Sequence, residues 1–577
     1  MILQALVRLY EALAAQDRIA RSGWSRSDIT FALCIDGDGK LERLVDLRQE
    51  VPSGKKMVLR PRSMTLPAAV KRSSGVAANF LWDNAGYLLG IDDKGKPERT
   101  RQCFEACGAL HREALDGMES PVAKAILRFF ETWKPEEAGE HPAIQEHLDR
   151  LYAGGNLTFR VDGQFAADDP DIRAAWQKRY DAGEGETMQC LVTGQKDLIE
   201  PVHPSVKGLR GGQSSGGALV SFNAPAFCSY GREQSYNAPV GKYAAFAYTS
   251  ALNYLLADKN NVYSLGDASV LFWAEGGEPA FQDMMGAMTF GKETRYSDGD
   301  LRDMAKKLVE GKPVDFDGTK LDPNTTFYIL AISPNAARIS VRFFLRNSFG
   351  HLLENVTAHH ERIEIVRPSY EKFDTLPLWA MLRETVNLNS KDKSPSPILA
   401  GAVARAIFSG ERYPAALLEQ TMLRIRAERS ITRGRAAILK AYYLKNETSE
   451  CPKEVLTVSL NEASTNPAYT LGRLFSVYEA LQESANPGIN ATIRDRYFNS
   501  AMSSPGTIFP TLDKLAKAHL RKLDKGLRIS YEKQIGTLKE VFSESYPARL
   551  TLPQQGSFDL GYYHQTQKRY TKKEEVK

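Results

Sequence analysis

The spacing of apolar residues changes once along this chain, near residue 370, and that change limits the architectures open to it. Before it, β-branched and aromatic residues gather in short runs bounded by turn residues. "ITFALCID" (29–36) and "LERLVDL" (41–47) flank the turn "GDGK" and read as a hairpin. "TTFYILAIS" and "ARISVRFFL" meet through "PNA", a second pair of β-rich runs with a tight Pro-Asn turn. After about residue 372 the apolar residues recur at helical spacing. In "PAYTLGRLFSVYEALQES" one face carries Leu471, Leu474, Phe475, Tyr478 and Leu481, with Asn466 as cap and Pro467 in the first turn. "SPGTIFPTLDKLAKAHLRKLDK" repeats the design with Leu512, Leu515, Ala516, His519 and Leu523. The expected fold class is α+β: a mixed α/β N-terminal region followed by a C-terminal antiparallel α-helical bundle. Its expected divisions are a mixed region over 1–370, a helical connection over 371–394, a bundle over 395–546 and an extended tail over 547–577. "SPSP" (394–397) reads as the joint before the bundle, and the tail loses helical patterning and ends highly charged.

At 577 residues the chain exceeds one core, so several domains are expected. No apolar run is long enough to cross a bilayer. The first residues, "MILQALVRLYEALAAQDRIA", are interrupted by Arg8, Glu11 and Asp17 and read as an amphipathic helix rather than a secretory leader. Six scattered cysteines provide no disulfide framework, which favours a reducing, cytoplasmic setting. Charge is uneven. Residues 395–577 hold 27 Lys+Arg against 18 Asp+Glu, a net of +9, whereas 1–394 hold 48 against 52, a net of −4. That asymmetry suits a polyanionic partner for the C-terminal part.

Catalytic patterns are weak. Gly212-Gln213-Ser214-Ser215-Gly216 matches the nucleophile-elbow spacing, but that motif needs a strand before the serine and a helix after it. Here "PVHPSVKGLR" precedes and the strand-like "ALVSF" follows, so a serine hydrolase using Ser214 is the lesser alternative. No Lys-Ser or Lys-Thr closes the glycine run, which disfavours a phosphate-cradling NTPase loop. Cys103, Cys107 and His111 recur every four residues on an expected helix, and straight stacking converges poorly on one tetrahedral ion. They read as packed core. His359 and His360, in "AHHERIEI", read as structural residues of a strand. No cofactor or metal is implied.

Binding signals are stronger. "GLRGGQSSGGALVSFNAP" (208–225) holds five glycines and two adjacent serines, a backbone able to approach a ligand closely. The aromatic stretch after it is interleaved with Asn223, Arg232, Gln234, Asn237 and Lys242, types that read base edges or bond phosphates. Most of its later aromatics, in "GKYAAFAYTSALNYLL", read instead as a core helix. Farther on, "LRIRAERSITRGRAAILKAYYLK" (423–445) places Arg426, Arg429 and Arg433 as a helical stripe, opposed only by Glu428. Such a stripe suits a phosphate backbone, with a solvated helix face as the plain alternative.

Three segments together, "KRSSGVAANFLWDNAGYLLG" (71–90), "CLVTGQKDLIEPVHPSVKGLRGGQSSGGALVSFNAPAFCSYG" (190–231) and "APVGKYAAFAYTSALNYLL" (238–256), resemble the large subunit of the type I-C CRISPR Cascade complex. The resemblance implies a non-enzymatic subunit of an RNA-guided surveillance complex, one that recognises the protospacer-adjacent motif in double-stranded DNA, aids duplex opening and R-loop formation, and supports recruitment of a separate helicase–nuclease. Implied partners are crRNA, double-stranded target DNA and its displaced single strand, the crRNA-binding backbone subunits, the small subunit and that helicase–nuclease. The helical rear corresponds to the small subunit in this resemblance. Within the matched motifs, Gly211 and Gly212 let the loop enter a DNA groove, Gln213, Ser214 and Ser215 touch bases or phosphates, and Lys207 and Arg210 neutralise phosphates. Lys71 and Arg72, then Asn223 and Gln234, are the next contacts expected. Phe80, Leu81 and Trp82 of "NFLWDN" are expected to anchor a core beside the loop. A scaffold subunit without DNA contact is the remaining alternative.

Overall fold

The computed structural model describes residues 1–570 except 54–55, 71–74, 93–94, 184, 223, 372–373, 388, 392 and 543–544. The chain forms two compact units. The first comprises Leu3–Pro204 and Val220–Ala251, and the second Ser205–Leu219 and Leu252–Lys577.

In the first unit the expected hairpin is present: Trp24–Ile35 pairs antiparallel with Leu41–Asp46. Trp24–Ile35 also pairs in parallel with Asn156–Val161, and antiparallel with Arg62–Pro67. Trp82–Asn84 and Gln164–Phe165 complete a six-stranded sheet through Asn156–Val161. The buried residues of helices Pro97–Leu115 and Pro121–Thr132 share one apolar core with this sheet. The N-terminal helix Ile2–Ala15 buries Leu6, Leu9 and Leu13 as its spacing requires.

"NFLWDN" is structural, as expected. Phe80, Leu81 and Trp82 are buried in this core, and Phe80 stacks on Trp176 with centroids 5.1 Å apart. Leu81 is held at φ +66°, a left-handed conformation costly for a branched side chain. Its buried amide donates to His111 Nε2 at 3.0 Å, and His111 Nδ1 lies 2.8 Å from the Cys107 carbonyl. The ring is therefore the neutral Nδ1–H form, donating to that carbonyl while accepting from Leu81. Burial lowers its pKa to about 4. Cys103, Cys107 and His111 thus belong to the packed core. Among the described residues no three His, Cys, Asp or Glu side chains are grouped to hold a metal ion.

The second unit is built on a four-stranded antiparallel sheet ordered Val262–Leu265, Ala268–Ala274, Thr326–Asn335, Arg338–Ser348. The last two strands are the second expected hairpin. The change of periodicity near residue 371 lies within this unit, because the later helices share one core with the sheet. Phe272 and Phe327 join Phe408, Tyr469, Phe475 and Phe558 in that core, and the Phe272 and Phe408 rings meet edge to face at 5.7 Å. Between 371 and 394 the described helix is Leu378–Arg383. Asn466 caps Pro467–Ala485 through its side chain, as its sequence demands.

Two expectations are corrected. His359 and His360 lie on the helix Phe349–Ile363, not on a strand; Ser348 caps it, and Leu352, Leu353, Val356 and Ile363 form its buried face. His359 Nδ1 sits 2.6 Å from the Tyr413 hydroxyl, inside the fold. The segment expected as an extended tail contains the helix Leu552–Tyr570, with Phe558, Leu560, Tyr562 and Tyr563 in the core. Glycines explain it. A Cβ on Gly472 would stand 1.9 Å from the Phe558 carbonyl oxygen, and one on Gly561 would stand 2.1 Å from that of Tyr469. The two helices pack backbone to backbone, a contact in which apolar spacing plays little part. Among the described residues no helix is long and apolar enough to cross a membrane.

Candidate nucleic-acid interface

Residues 205–219 form a clasped loop on the second unit. Val206 and Gly217 exchange both backbone hydrogen bonds, at 2.8 and 2.9 Å, closing its base. Gly216 follows the tip at φ +90°, where a Cβ would lie 2.7 Å from the Val206 carbonyl oxygen. Only glycine closes the clasp at that point. Within the loop, Gly212 N donates to Leu209 O at 3.1 Å and Gly216 N to Gln213 O at 3.0 Å. Leu209 is the buried anchor.

Side chains of the same unit hold the base. Lys207 N donates to Asn253 Oδ1 at 2.7 Å, and Lys259 Nζ donates to Gly208 O at 3.2 Å. Ala218 N donates to Ala337 O, and Ile339 N to Ala218 O, which docks the loop on the start of the edge strand Arg338–Ser348. That strand carries Arg338, Arg342 and Arg346; Arg342 pairs with Asp267 at 2.5 Å.

The tip is different. Arg210, Gly211, Gly212, Gln213, Ser214 and Ser215 are all exposed, as is Lys207. Among the described residues, the side chains of Lys207, Arg210, Gln213, Ser214 and Ser215 make no hydrogen bond or ion pair within the protein. A rigidly based loop with idle donors and acceptors is equipped to bond something outside the chain. Ser214 lies in this turn with no helix after it, unlike a nucleophile elbow.

Gln234 belongs to the first unit, exposed at φ +48° in a short 3₁₀ turn closed by Asn237 Nδ2 on its carbonyl. Lys71, Arg72 and Asn223 lie outside the described residues.

The arginine stripe does not form. Helix Ala415–Glu428 ends at Arg429, which turns left-handed at φ +51°, and a new helix starts at Arg433. Arg426 Nη2 donates to Gln555 at 2.7 Å, and Arg429 donates to the Asp495 carbonyl. Arg433 is buried and pairs with Glu371 at 3.0 Å. Its neighbour Arg435, also buried, pairs with Glu428 at 2.5 Å and Glu384 at 3.4 Å. Burial raises the Glu384 carboxyl above its ordinary range, against the pull of Thr432 and Arg435. Lys440 gives its ammonium to the carbonyls of Glu361 and Arg362, and burial lowers it to about 8. Sequence spacing missed Glu371 and Glu384 because they reach this segment only through the fold.

A better basic surface lies elsewhere in the C-terminal helices. Lys514, Lys517, Arg521, Lys522, Lys525, Arg528 and Lys533 are exposed on Pro505–Leu520, Lys525–Lys539 and the turn between them. The excess of Lys+Arg over Asp+Glu across 514–533 was the signal available in the sequence.

The profile of the family described as CRISPR-associated protein (Cas_Csd1) matches residues 6–570, nearly the whole chain. The chain belongs to that family, which bears out the resemblance to the type I-C Cascade large subunit. No curated protein matches the sequence.

Proposed function

We propose, with family membership as the premise, that this chain reads the protospacer-adjacent motif of target DNA through the tip of the loop 207–216. Guide pairing supplies the long sequence match in such a system, and the protein reads only a short flanking element. Gln213, Ser214 and Ser215 address base edges, Lys207 and Arg210 take phosphates on either side, and Arg338, Arg342 and Arg346 continue the basic surface along the edge strand. The exposed basic residues across 514–533 hold the displaced single strand together with the exposed Arg426 and Arg429, while buried Arg433 is held by its pair with Glu371. Gln234, Lys71, Arg72 and Asn223 remain proposed DNA contacts. Partners are crRNA, the backbone and small subunits and a separate helicase–nuclease, which the bound R-loop recruits. The chain itself performs no chemistry in this reading.

One observation carries it: the loop's base is clasped and docked, while every polar side chain at its exposed tip lacks a partner among the described residues. Gel shifts of the assembled complex on motif-bearing and motif-free duplexes provide the test. Gln213→Ala is expected to narrow the preference between them by about 1–3 kcal/mol, the value of a base-edge contact. Equal weakening on both duplexes removes Gln213 from the reading role.

A further inference from the structure

The first unit holds a cleft of about 480 Å³ that the loop reading does not use. Its walls carry four arginines, Arg21, Arg26, Arg62 and Arg173, with the aromatic rings of Trp24 and Phe165. Sheet pairing explains the gathering. Arg26 lies on Trp24–Ile35 opposite Thr65, and Arg62 begins the neighbouring strand opposite Ile29. Phe165 pairs with Arg160 on the next strand, and Arg173 rises from the helix Pro170–Asp181.

The rings fix the cations. Arg173 lies over Trp24, 4.6 Å from its centroid, and Arg62 lies 5.8 Å from that of Phe165. Arg160 lies 5.3 Å from the same Phe165 ring. Arg173 gives one N–H to the Ala167 carbonyl at 3.3 Å and Arg160 one to the Gly163 carbonyl at 2.8 Å, whereas among the described residues the donors of Arg62, which lie in its guanidinium plane, bond nothing and can meet an anion. Neutralisation is incomplete. Asp17 and Asp168 are the acidic residues of the lining, and Asp168 stands 4.0 Å from Arg173. Among the described residues no carboxylate lies within ion-pairing distance of Arg21, Arg26 or Arg62. Four guanidinium groups against two carboxylates suit a doubly charged anion, and forked donors match phosphate oxygens two at a time. The volume is too great for inorganic phosphate alone and falls within the range of small-molecule sites.

The geometry points to a binding site for a nucleoside monophosphate unit in this cleft, with its phosphate on Arg26 and Arg62. The same chemistry is carried by a free mononucleotide and by the 5′-phosphorylated end of a strand. Calorimetric titration of the full chain distinguishes them, using adenosine 5′-monophosphate, adenosine, and a tetranucleotide with a 5′-phosphate or a 5′-hydroxyl. We expect the monophosphate to bind at least tenfold more tightly than adenosine if free nucleotides are taken. The phosphorylated tetranucleotide alone is expected to show that advantage over its 5′-hydroxyl form if strand ends are taken. In either case Arg26→Ala and Arg62→Ala should each cost tenfold or more, with Arg26→Lys and Arg62→Lys intermediate and melting temperatures unchanged. The proposal is overturned if neither phosphate form is preferred, or if binding is indifferent to all four substitutions. Such a failure leaves the loop reading intact, because that is scored on duplexes with Gln213→Ala.

Discussion

The glycine loop 208–217 and the arginine-rich segment 424–435 both read from sequence as DNA contacts, and the fold treats them in opposite ways. The loop commits its backbone to the protein and keeps its side chains outward. The arginine segment commits its side chains: Arg433 and Arg435 are buried on carboxylates, and Arg426 and Arg429 bond Gln555 and the Asp495 carbonyl. A positive charge in a sequence is available to a polyanion only if no partner in the fold has taken it. Sparse side chains with a satisfied backbone are the more informative sign.

The contrast is tested most severely at Arg435. Arg435 is the buried member and its carboxylate partners are partly exposed, so Arg435→Ala should lower stability by about 3 kcal/mol in denaturant titration, through its lost charge-assisted bonds and the cavity it leaves. A stable Arg435→Ala protein that binds DNA poorly would erase the distinction.

A second test compares left-handed residues in the two settings. Leu81 is buried and relies on neutral His111 to accept its amide, whereas the loop's left-handed glycines need no such acceptor. The folded pKa of His111, about 4, lies below the unfolded value, so the unfolded state binds the proton first as pH falls. Its contribution is fully present above the unfolded value and is lost as pH drops towards 4, by about 3 kcal/mol in all. His111→Gln should flatten the dependence of the unfolding midpoint on pH across that window. An unchanged slope would mean that Leu81 does not depend on the imidazole.

Gly216→Ala should cost about 1–2 kcal/mol in stability by opening the clasp, while weakening discrimination of the flanking motif. Retained discrimination would separate the clasp from the reading. The smallest effect is expected at Arg210. Arg210→Ala should leave stability within about 0.5 kcal/mol and lower the salt dependence of duplex binding by about one unit. A stability loss like that of Arg435→Ala would place Arg210 in the same class as the buried arginines.

Both hairpins were legible because alternation and turn residues are local signals, and the Asn466-capped helix because its cap and apolar stripe are adjacent in sequence. The loop was legible for a similar reason, since Gly216 answers to a carbonyl only ten residues away. The arginine stripe was misread because its partners Glu371 and Glu384 lie upstream and because Arg429 breaks the helix. The final helix was misread because a buried helix meeting another through glycine, with Gln555, Ser557, Asp559 and His564 also buried, shows no apolar face to detect. The cleft arginines, at 21, 26, 62 and 173, are too far apart to be recognised before the sheet aligns them.

The close crossing of Leu552–Tyr570 on Pro467–Ala485 has a consequence for biosynthesis. Strands that emerge early from the ribosome, such as Ala268–Ala274, share a core with a helix made nearly three hundred residues later. A message broken before codon 552 would therefore yield a protein whose second unit lacks a central filler and bares Tyr469 and Phe475, a substrate for chaperones and proteases.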